Sequence, residues 1–284
     1  MGQFVCLNGD IIERDAALVG AFDRSFLYGD GLFETVRAYG GVPFMMSEHL
    51  ARMGDSAAEL GIVMPDAGDI AAVVERLIEM NELSDAYVRI TLSRGAHTGQ
   101  LVPDDPPQPT LLIETRELHP YPAEMYQRGA SVIVSASGHN SASQVSRHKT
   151  TSYLANILAK REAEERGADE AILLDHTGHV AEGTVSNVFC VRGGRLLTPP
   201  LDMNILPGIT RQCIVGLARE SGIEVEEVAF RAAALQSADE AFLTNSLMEV
   251  MSVGSIDGAA FANIPGPVTA KLAAAYKKLV AESV

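Results

Sequence analysis

The residues best suited to chemistry in this 284-residue chain begin with Lys149. It stands in "RHKTTSYLAN", where a polar, irregular segment gives way to apolar residues at helical spacing, Leu154, Ile157 and Leu158. A lysine can form a Schiff base with an aldehyde, but only its neutral amine attacks, so such lysines sit where burial or nearby cations favour that form. Arg147 and His148 precede Lys149, and Tyr153 follows four residues on, which in a helix puts its hydroxyl on the same side as the amine. The competing reading is a solvated charge, the usual state of a lysine.

Three further stretches carry complementary groups. In "AEGTVSNVF", Glu182 lies in a strand of otherwise apolar and small residues; it is either a rim carboxylate or an acid held against a heterocyclic nitrogen, whose protonated form it would stabilise. In "LPGITRQ", Gly208 permits close backbone approach and the next residues open a helix, so free amides, the positive helix end and the Thr210 hydroxyl make an anion site; the plain alternative is a Pro-Gly helix start. In "FLTNSLMEV", a strand ends in Thr244, Asn245 and Ser246, whose hydroxyls and turn amides either finish a phosphate cradle or form an ordinary turn. An amine, a carboxylate and two amide-rich turns share one natural partner, pyridoxal 5′-phosphate, which needs an aldehyde partner, a pyridine-nitrogen partner and a phosphate cradle.

The elements that must position these groups are legible in outline. "FVCLNGDIIE" and "GLFETVRAYGGVPFMM" read as hairpins around Asn8-Gly9 and Gly40-Gly41. Ser47 is expected to start a helix over 48–60 that Gly61 stops, and Asp69 to open another reaching Met80. "AYVRITLSRG" and "TLLIETREL" read as strands on either side of a proline-rich loop, 96–110. After "HPYPAEM" come the strand "ASVIVSAS", a helix over 151–166 closed by Gly167, a β-meander from "EAILLD" to "RLLTPP", and a helix over 209–221. The strands "IEVEEVAF", "DEAFLTNS" and "EVMSVGSIDG" and a C-terminal helix complete the chain. Strands and helices mix in both halves without regular βαβ alternation, which predicts two α+β domains with mainly antiparallel sheets: 1–118, a linker over 119–125, and 126–284.

Composition bounds the class. Hydrophobic residues make up 47% and charged residues 21%, as in an ordinary globular protein. A net charge of −15 argues against a nucleic-acid partner, since there is no general basic surface. The three cysteines, Cys6, Cys190 and Cys213, are scattered in apolar stretches and read as small core residues of a reducing compartment; no metal site is expected. No basic-then-apolar leader and no membrane-length apolar run is visible, so the expectation is a soluble, cytoplasmic protein.

Taken in order, "FDRSFLYGDGLFETVRAY", "EHLARM", "HKTTSYLANILAKREAEERGADEAILLD", "VAEGTVSNVF", "LLTPPLDMNILPGITR" and "ADEAFLTNSLMEV" resemble the class IV aminotransferases over nearly the whole chain. These are the fold-type IV pyridoxal-phosphate enzymes: branched-chain aminotransferases, D-amino-acid aminotransferases and 4-amino-4-deoxychorismate lyases. The resemblance implies that Lys149 holds the cofactor and moves the proton at the substrate Cα, that Tyr153 meets the cofactor's phenolate oxygen, and that Glu182 pairs with its pyridine nitrogen. It implies phosphate binding by Arg52, Ile209, Thr210 and Ser246, with Gly208 and Asn245 in the same cradle. It further implies a homodimer, with the cofactor at the domain interface.

Within the family, the N-terminal domain decides. In "YVRITLSRG", Tyr87 and Arg89 are two apart and face one side of a strand; in similar branched-chain enzymes such a pair helps hold the substrate carboxylate. Tyr28, Phe33, Arg37 and Leu247 complete the implied substrate pocket. The D-amino-acid enzymes have an Arg-x-His shortly after this turn, whereas this chain reads "SRGAHTGQLVP", with His97 but no arginine following Gly95. The "GDG" around Asp30 is closer to the lyase and D-amino-acid pattern, and Ser252 stands where the family usually has proline. The expected activity is amino transfer between an apolar, branched-chain type L-amino acid and 2-oxoglutarate, with the pyruvate-releasing lyase as the first alternative and D-amino-acid amino transfer as the second.

Overall fold

The computed structural model describes residues 3–97, 99–103 and 108–284, so Thr98 and 104–107 of the expected proline-rich loop lie outside the described residues. The chain divides into two compact units: Met1–His119 with His148–Tyr153 and Ser283–Val284, and Pro120–Arg147 with Leu154–Glu282.

The first unit comprises β1 (Phe4–Leu7), β2 (Asp10–Glu13), α1 (Arg24–Tyr28), β3 (Gly31–Tyr39), β4 (Val42–Pro43), α2 (Met46–Leu60), α3 (Ala67–Met80), β5 (Ala86–Ser93) and β6 (Thr110–Glu117). Its sheet runs β2-β1-β6-β5-β3-β4, antiparallel throughout. Both expected hairpins form, because Asn8 (φ 54°), Gly9 (φ 94°), Gly40 (φ 56°) and Gly41 (φ 89°) supply the positive φ values that tight hairpin turns require. Strand alternation then separates two faces. Leu32, Val36, Val88 and Ile90 point into a core closed by Leu50 and Met53 of α2 and Val74 and Leu77 of α3. The opposite phase, Phe33, Thr35 and Arg37 of β3 with Tyr87, Arg89 and Thr91 of β5, forms the other face.

The helix starts differ from expectation. α2 begins at Met46 after Met45 in the left-handed region, while the Ser47 hydroxyl bonds Glu48 instead of capping. α3 is capped one turn earlier than Asp69, by Asp66, whose carboxylate accepts from the Gly68 and Asp69 amides. The stop at Gly61 forms as expected.

The second unit comprises α4 (Ala123–Arg128), β7 (Ala130–Gly138), α5 (Leu154–Glu165), β8 (Glu170–Leu174), β9 (Val180–Gly183), β10 (Asn187–Arg192), β11 (Arg195–Thr198), α6 (Ile209–Glu220), β12 (Val225–Glu227), α7 (Ala232–Gln236), β13 (Glu240–Asn245), β14 (Glu249–Ile256), β15 (Ala259–Ala260) and α8 (Pro267–Ser283). Its sheet runs β12-β11-β10-β13-β14-β7-β8-β9, with β15 on β14. The expected meander is therefore interrupted: β9 pairs with β8 and ends the path, while β10 pairs with β11 and β13. Parallel pairings join β14 to β7 and β7 to β8 in an otherwise largely antiparallel sheet. Central strands are buried on both faces, with Phe189 and Phe242 stacked at 4.8 Å, and read as continuous apolar runs for that reason. Ser252, within β14 and opposite Phe242, occupies an interior strand position where a proline could not donate to the ladder.

α4 begins inside the stretch read as a linker. The helix expected from Thr151 starts at Leu154 instead, because the residues before it pair with β3. All three cysteines are free thiols, and burial pushes Cys190 up to about 12. Among the described residues no helix is long and apolar enough to cross a membrane.

Candidate active site

In the first unit, Lys149 is carried on an added edge of the sheet. The Phe33 amide donates to the Lys149 carbonyl (2.8 Å), the Thr151 amide donates to the Gly31 carbonyl (2.9 Å), and Thr150 bridges Leu32 in antiparallel fashion. The glycines of "GDG" make room for this segment. A Cβ on Gly29 would lie 3.0 Å from Ser152 Cα, and one on Gly31 2.8 Å from the Leu92 carbonyl and 3.2 Å from Thr151 Oγ1. Between them, Asp30 accepts from Arg24 Nε and Arg94 Nε, both at 2.8 Å.

The Lys149 amine lies 4.4 Å from the centre of the Phe33 ring and 5.9 Å from that of Tyr153, and these rings meet edge-to-face at 5.3 Å. Tyr153 is thus near the lysine without a shared helix; the turn ahead of α5 brings it there, its amide donating to the Thr151 carbonyl. Arg89 stacks on the same Phe33 ring at 4.0 Å and donates Nε–H to Thr91 Oγ1. Arg37, directly opposite Tyr87 in the β3–β5 register, stacks on Tyr39 at 4.3 Å. Tyr87 carries Arg116 over its ring at 3.8 Å. Tyr28 lies at the end of α1, 53% exposed, with Arg24 over its ring.

Arg52, on the core side of the same sheet, grips Glu34 of β3 through two bonds, Nε to Oε1 at 2.8 Å and Nη2 to Oε2 at 2.6 Å. His49 Nδ1 lies 2.7 Å from Glu34 Oε2. Burial pushes the Glu34 carboxyl up, but the Arg52 charge and the His49 bond outweigh it and take it down to about 2. Burial holds His49 below its usual value, partly offset by Glu34. Sequence reading missed Glu34 and His49. The signal was a carboxylate in the buried phase of a strand, between Leu32 and Val36, with a histidine and an arginine at i and i+3 of the next helix.

In the second unit, three of the quoted stretches meet at one end of the sheet. Glu182, buried on β9, accepts from the Leu206 amide (3.1 Å), and His139 Nδ1 lies 3.5 Å from its other oxygen. Asn187, the first residue of β10, donates to the Leu206 carbonyl (2.9 Å) and pairs in register with Thr244 of β13. Gly208 caps α6 without a side chain, and a Cβ there would lie 2.0 Å from Asn187 Oδ1. The partner that needs this glycine is therefore Asn187, which sequence reading did not single out. Ile209 and Thr210 are buried in the first turn of α6, where helical amides have no intrahelical acceptor. Thr244 Oγ1 is buried without a hydrogen-bond partner among the described residues. Asn245 staples its own turn, accepting from the Leu247 and Met248 amides and donating to the Val185 carbonyl; Ser246 and Leu247 are half-buried in that turn.

This donor set fits pyridoxal 5′-phosphate. The first unit offers an amine near two aromatic rings, a partner for the aldehyde. The second offers a buried carboxylate for the ring nitrogen and, for the phosphate, a helix start with no side-chain cap and a hydroxyl with no hydrogen-bond partner among the described residues. Among the described residues no group of three or more His, Cys, Asp and Glu could hold a metal ion.

Residues 31–256 match the family described as amino-transferase class IV. The chain is 39% identical over 277 residues to a putative branched-chain-amino-acid aminotransferase of Methanocaldococcus jannaschii, covering 97% of this chain and 96% of that one. It is 33% identical over 277 residues to an aminodeoxychorismate lyase of Bacillus subtilis, covering 96% and 94%. The crystal structure of the Escherichia coli branched-chain amino acid aminotransferase superposes with a TM-score of 0.93 at 30% identity, covering 98% of this chain and 95% of that one. This chain belongs to the class IV aminotransferase family, the pyridoxal-phosphate enzymes of fold type IV.

Proposed function

We propose that the protein moves an amino group between an apolar L-α-amino acid, of branched-chain type, and 2-oxoglutarate. The observation that carries this reading is the sheet face on which the Lys149 amine and the Arg89 guanidinium share the Phe33 ring. A substrate whose α-carbon is presented to the amine then has a cation at hand for a carboxylate. A planar guanidinium grips a carboxylate through two hydrogen bonds, and Tyr87 adds a hydroxyl on the same face. Phe33 supplies an apolar wall.

When bound, the cofactor supplies an electron sink that makes the substrate Cα proton removable. In this reading Lys149 takes that proton and returns it one atom away. Tyr153 orients the ring through the phenolate oxygen. Glu182, held by the Leu206 amide, keeps its charge against the ring nitrogen. The first amides of α6, Thr210 and Ser246 bind the phosphate, with Arg52, which Glu34 also grips from the core side of the sheet, as the cation that the resemblance implies. Gly208 and Asn245 shape the turns that present these donors. A homodimer belongs to the same reading, supported by Leu154, Ile157 and Leu158, exposed at i, i+3 and i+4 along α5.

The similarity to a relative named as a lyase keeps carbon–carbon cleavage with pyruvate release as the second reading. The deciding experiment incubates the purified protein with L-leucine and 2-oxoglutarate, and separately with aminodeoxychorismate. Glutamate and the branched oxo acid are expected from the first, with D-alanine inactive as donor. Pyruvate from the second, with no glutamate from the first, overturns the aminotransferase reading.

A further inference from the structure

The residue before the lysine is held as firmly as the lysine's backbone. His148 is 5% exposed at its side chain; its Nδ1 lies 3.0 Å from Ser56 Oγ and its Nε2 3.6 Å from Glu59 Oε2. Ser56 and Glu59 are three apart on α2 and so neighbours on one helix face; Arg52 lies on that face too, one turn earlier.

His148 sits in a bend after a short 3-10 turn, its carbonyl accepting from the Thr150 amide (3.0 Å), and the segment then bridges β3 at Thr150. His148 points to the face covered by α2, and Lys149 to the face carrying Phe33 and Arg89. Among the described residues the backbone pairing involves Phe33, Leu32 and Gly31 and ends at the turn before α5. So short a ladder specifies register weakly, and a slip of one residue would turn the lysine to the core face.

We propose that His148 is the register pin of the lysine segment: by docking on Ser56 and Glu59 it commits Lys149 to the Phe33–Arg89 face, and so sets how readily the amine captures the cofactor aldehyde. In that capture the neutral amine bonds to the aldehyde carbon, and both amine protons leave with the aldehyde oxygen as water. This rests on the reading that Lys149 is the capturing lysine. His148 is a positioning residue; it need not touch the cofactor.

The test compares two forms of the cofactor. Pyridoxal 5′-phosphate can be captured by Lys149, whereas pyridoxamine 5′-phosphate has no aldehyde and reports the remaining contacts alone. Binding of each to the cofactor-free protein is followed by absorbance and equilibrium dialysis, for wild type, His148→Ala and the Ser56→Ala/Glu59→Gln double variant. Should His148→Ala fail to fold, the double variant and His148→Gln, whose amide can still meet Ser56, carry the comparison. The expected result is an aldehyde-form affinity lower by about ten-fold, the upper scale of one lost hydrogen bond, with slower capture and an amine-form affinity within about two-fold of wild type. His148→Gln should recover part of the loss. Equal losses for both forms, or no loss for either, overturn the proposal. Borohydride reduction and peptide mapping of the wild type check the underlying reading separately. A label on Lys149 with unaltered variant affinities removes only the register pin; a label on another lysine removes the lysine assignment and the pin with it.

Discussion

Replacing Glu34 by glutamine keeps the shape of the side chain and removes its charge, which isolates the ion pair beneath the first unit's sheet. Glu34 is 1% exposed and Arg52 11%, and the two are joined by bonds of 2.8 and 2.6 Å. Removing one partner of a buried pair strands the other charge, at a cost of about 3–5 kcal/mol. The acid–base behaviour gives a similar figure: a carboxyl held at about 2 against an ordinary 4.5 carries about 3 kcal/mol of stability at neutral pH. At roughly 2–4 °C per kcal/mol, Glu34→Gln should lower the melting temperature of the first unit by about 6–12 °C. The sign of the pH dependence follows from the same shift. The folded carboxyl binds its proton less readily than the unfolded one, so the pair's contribution is fully present above pH 4.5 and is lost as pH falls towards 2. His49, held below 6.5 by burial, adds an earlier loss of stability as pH falls through that value. Calorimetry of the cofactor-free protein from pH 8 to pH 3, with hydrogen exchange at β3 and α2 to assign the transition, measures both effects. A variant that melts within about 1 °C of wild type at pH 7, or that keeps the wild-type slope below pH 4.5, refutes the account of this pair.

Borohydride should fix the cofactor on Lys149, and Lys149→Ala should abolish the label in peptide maps. Glu182→Gln should retain the cofactor but slow the amino-donor half-reaction by about 100-fold or more, the equivalent of about 3 kcal/mol, in single-turnover absorbance; an unchanged rate leaves Glu182 a structural carboxylate holding the Leu206 amide. Arg89→Ala should raise the KM for both amino donor and oxo acid by about ten- to a hundred-fold while cofactor affinity holds, in steady-state kinetics with dialysis; a loss confined to the cofactor assigns Arg89 to structure. Gly208→Ala puts a Cβ 2.0 Å from Asn187 Oδ1 and should destabilise the second unit by about 1–3 kcal/mol in urea unfolding while weakening phosphate-dependent cofactor binding; wild-type values for both show that the turn relaxes without consequence.

Local chemistry was enough to read much of this protein from its sequence. Asn8-Gly9 and Gly40-Gly41 announce hairpins because the positive φ they supply is a property of those residues alone. Gly61 and Gly167 mark helix ends for the same reason, and the alternation of Tyr87 and Arg89 puts both on one face whatever β5 packs against. Lys149, Glu182 and the Gly208 turn were legible as an amine, a carboxylate and an anion-binding helix start because residue type carries that chemistry. What the tertiary structure decided was every pairing between distant segments. Thr151 looks like the start of a helix, and only the free edge of β3, more than a hundred residues earlier, draws 149–151 into an isolated antiparallel bridge instead. Glu34 reads as one more charge in a strand until α2 lays Arg52 and His49 over it. Asn187 acquires its meaning from Gly208, and β14 finds β7 in parallel across the unit. Hydrogen bonds made across such separations leave no periodic trace in either partner. The local pattern therefore proposes the elements and their chemistry, and the packing of sheet against helix determines which of those side chains meet.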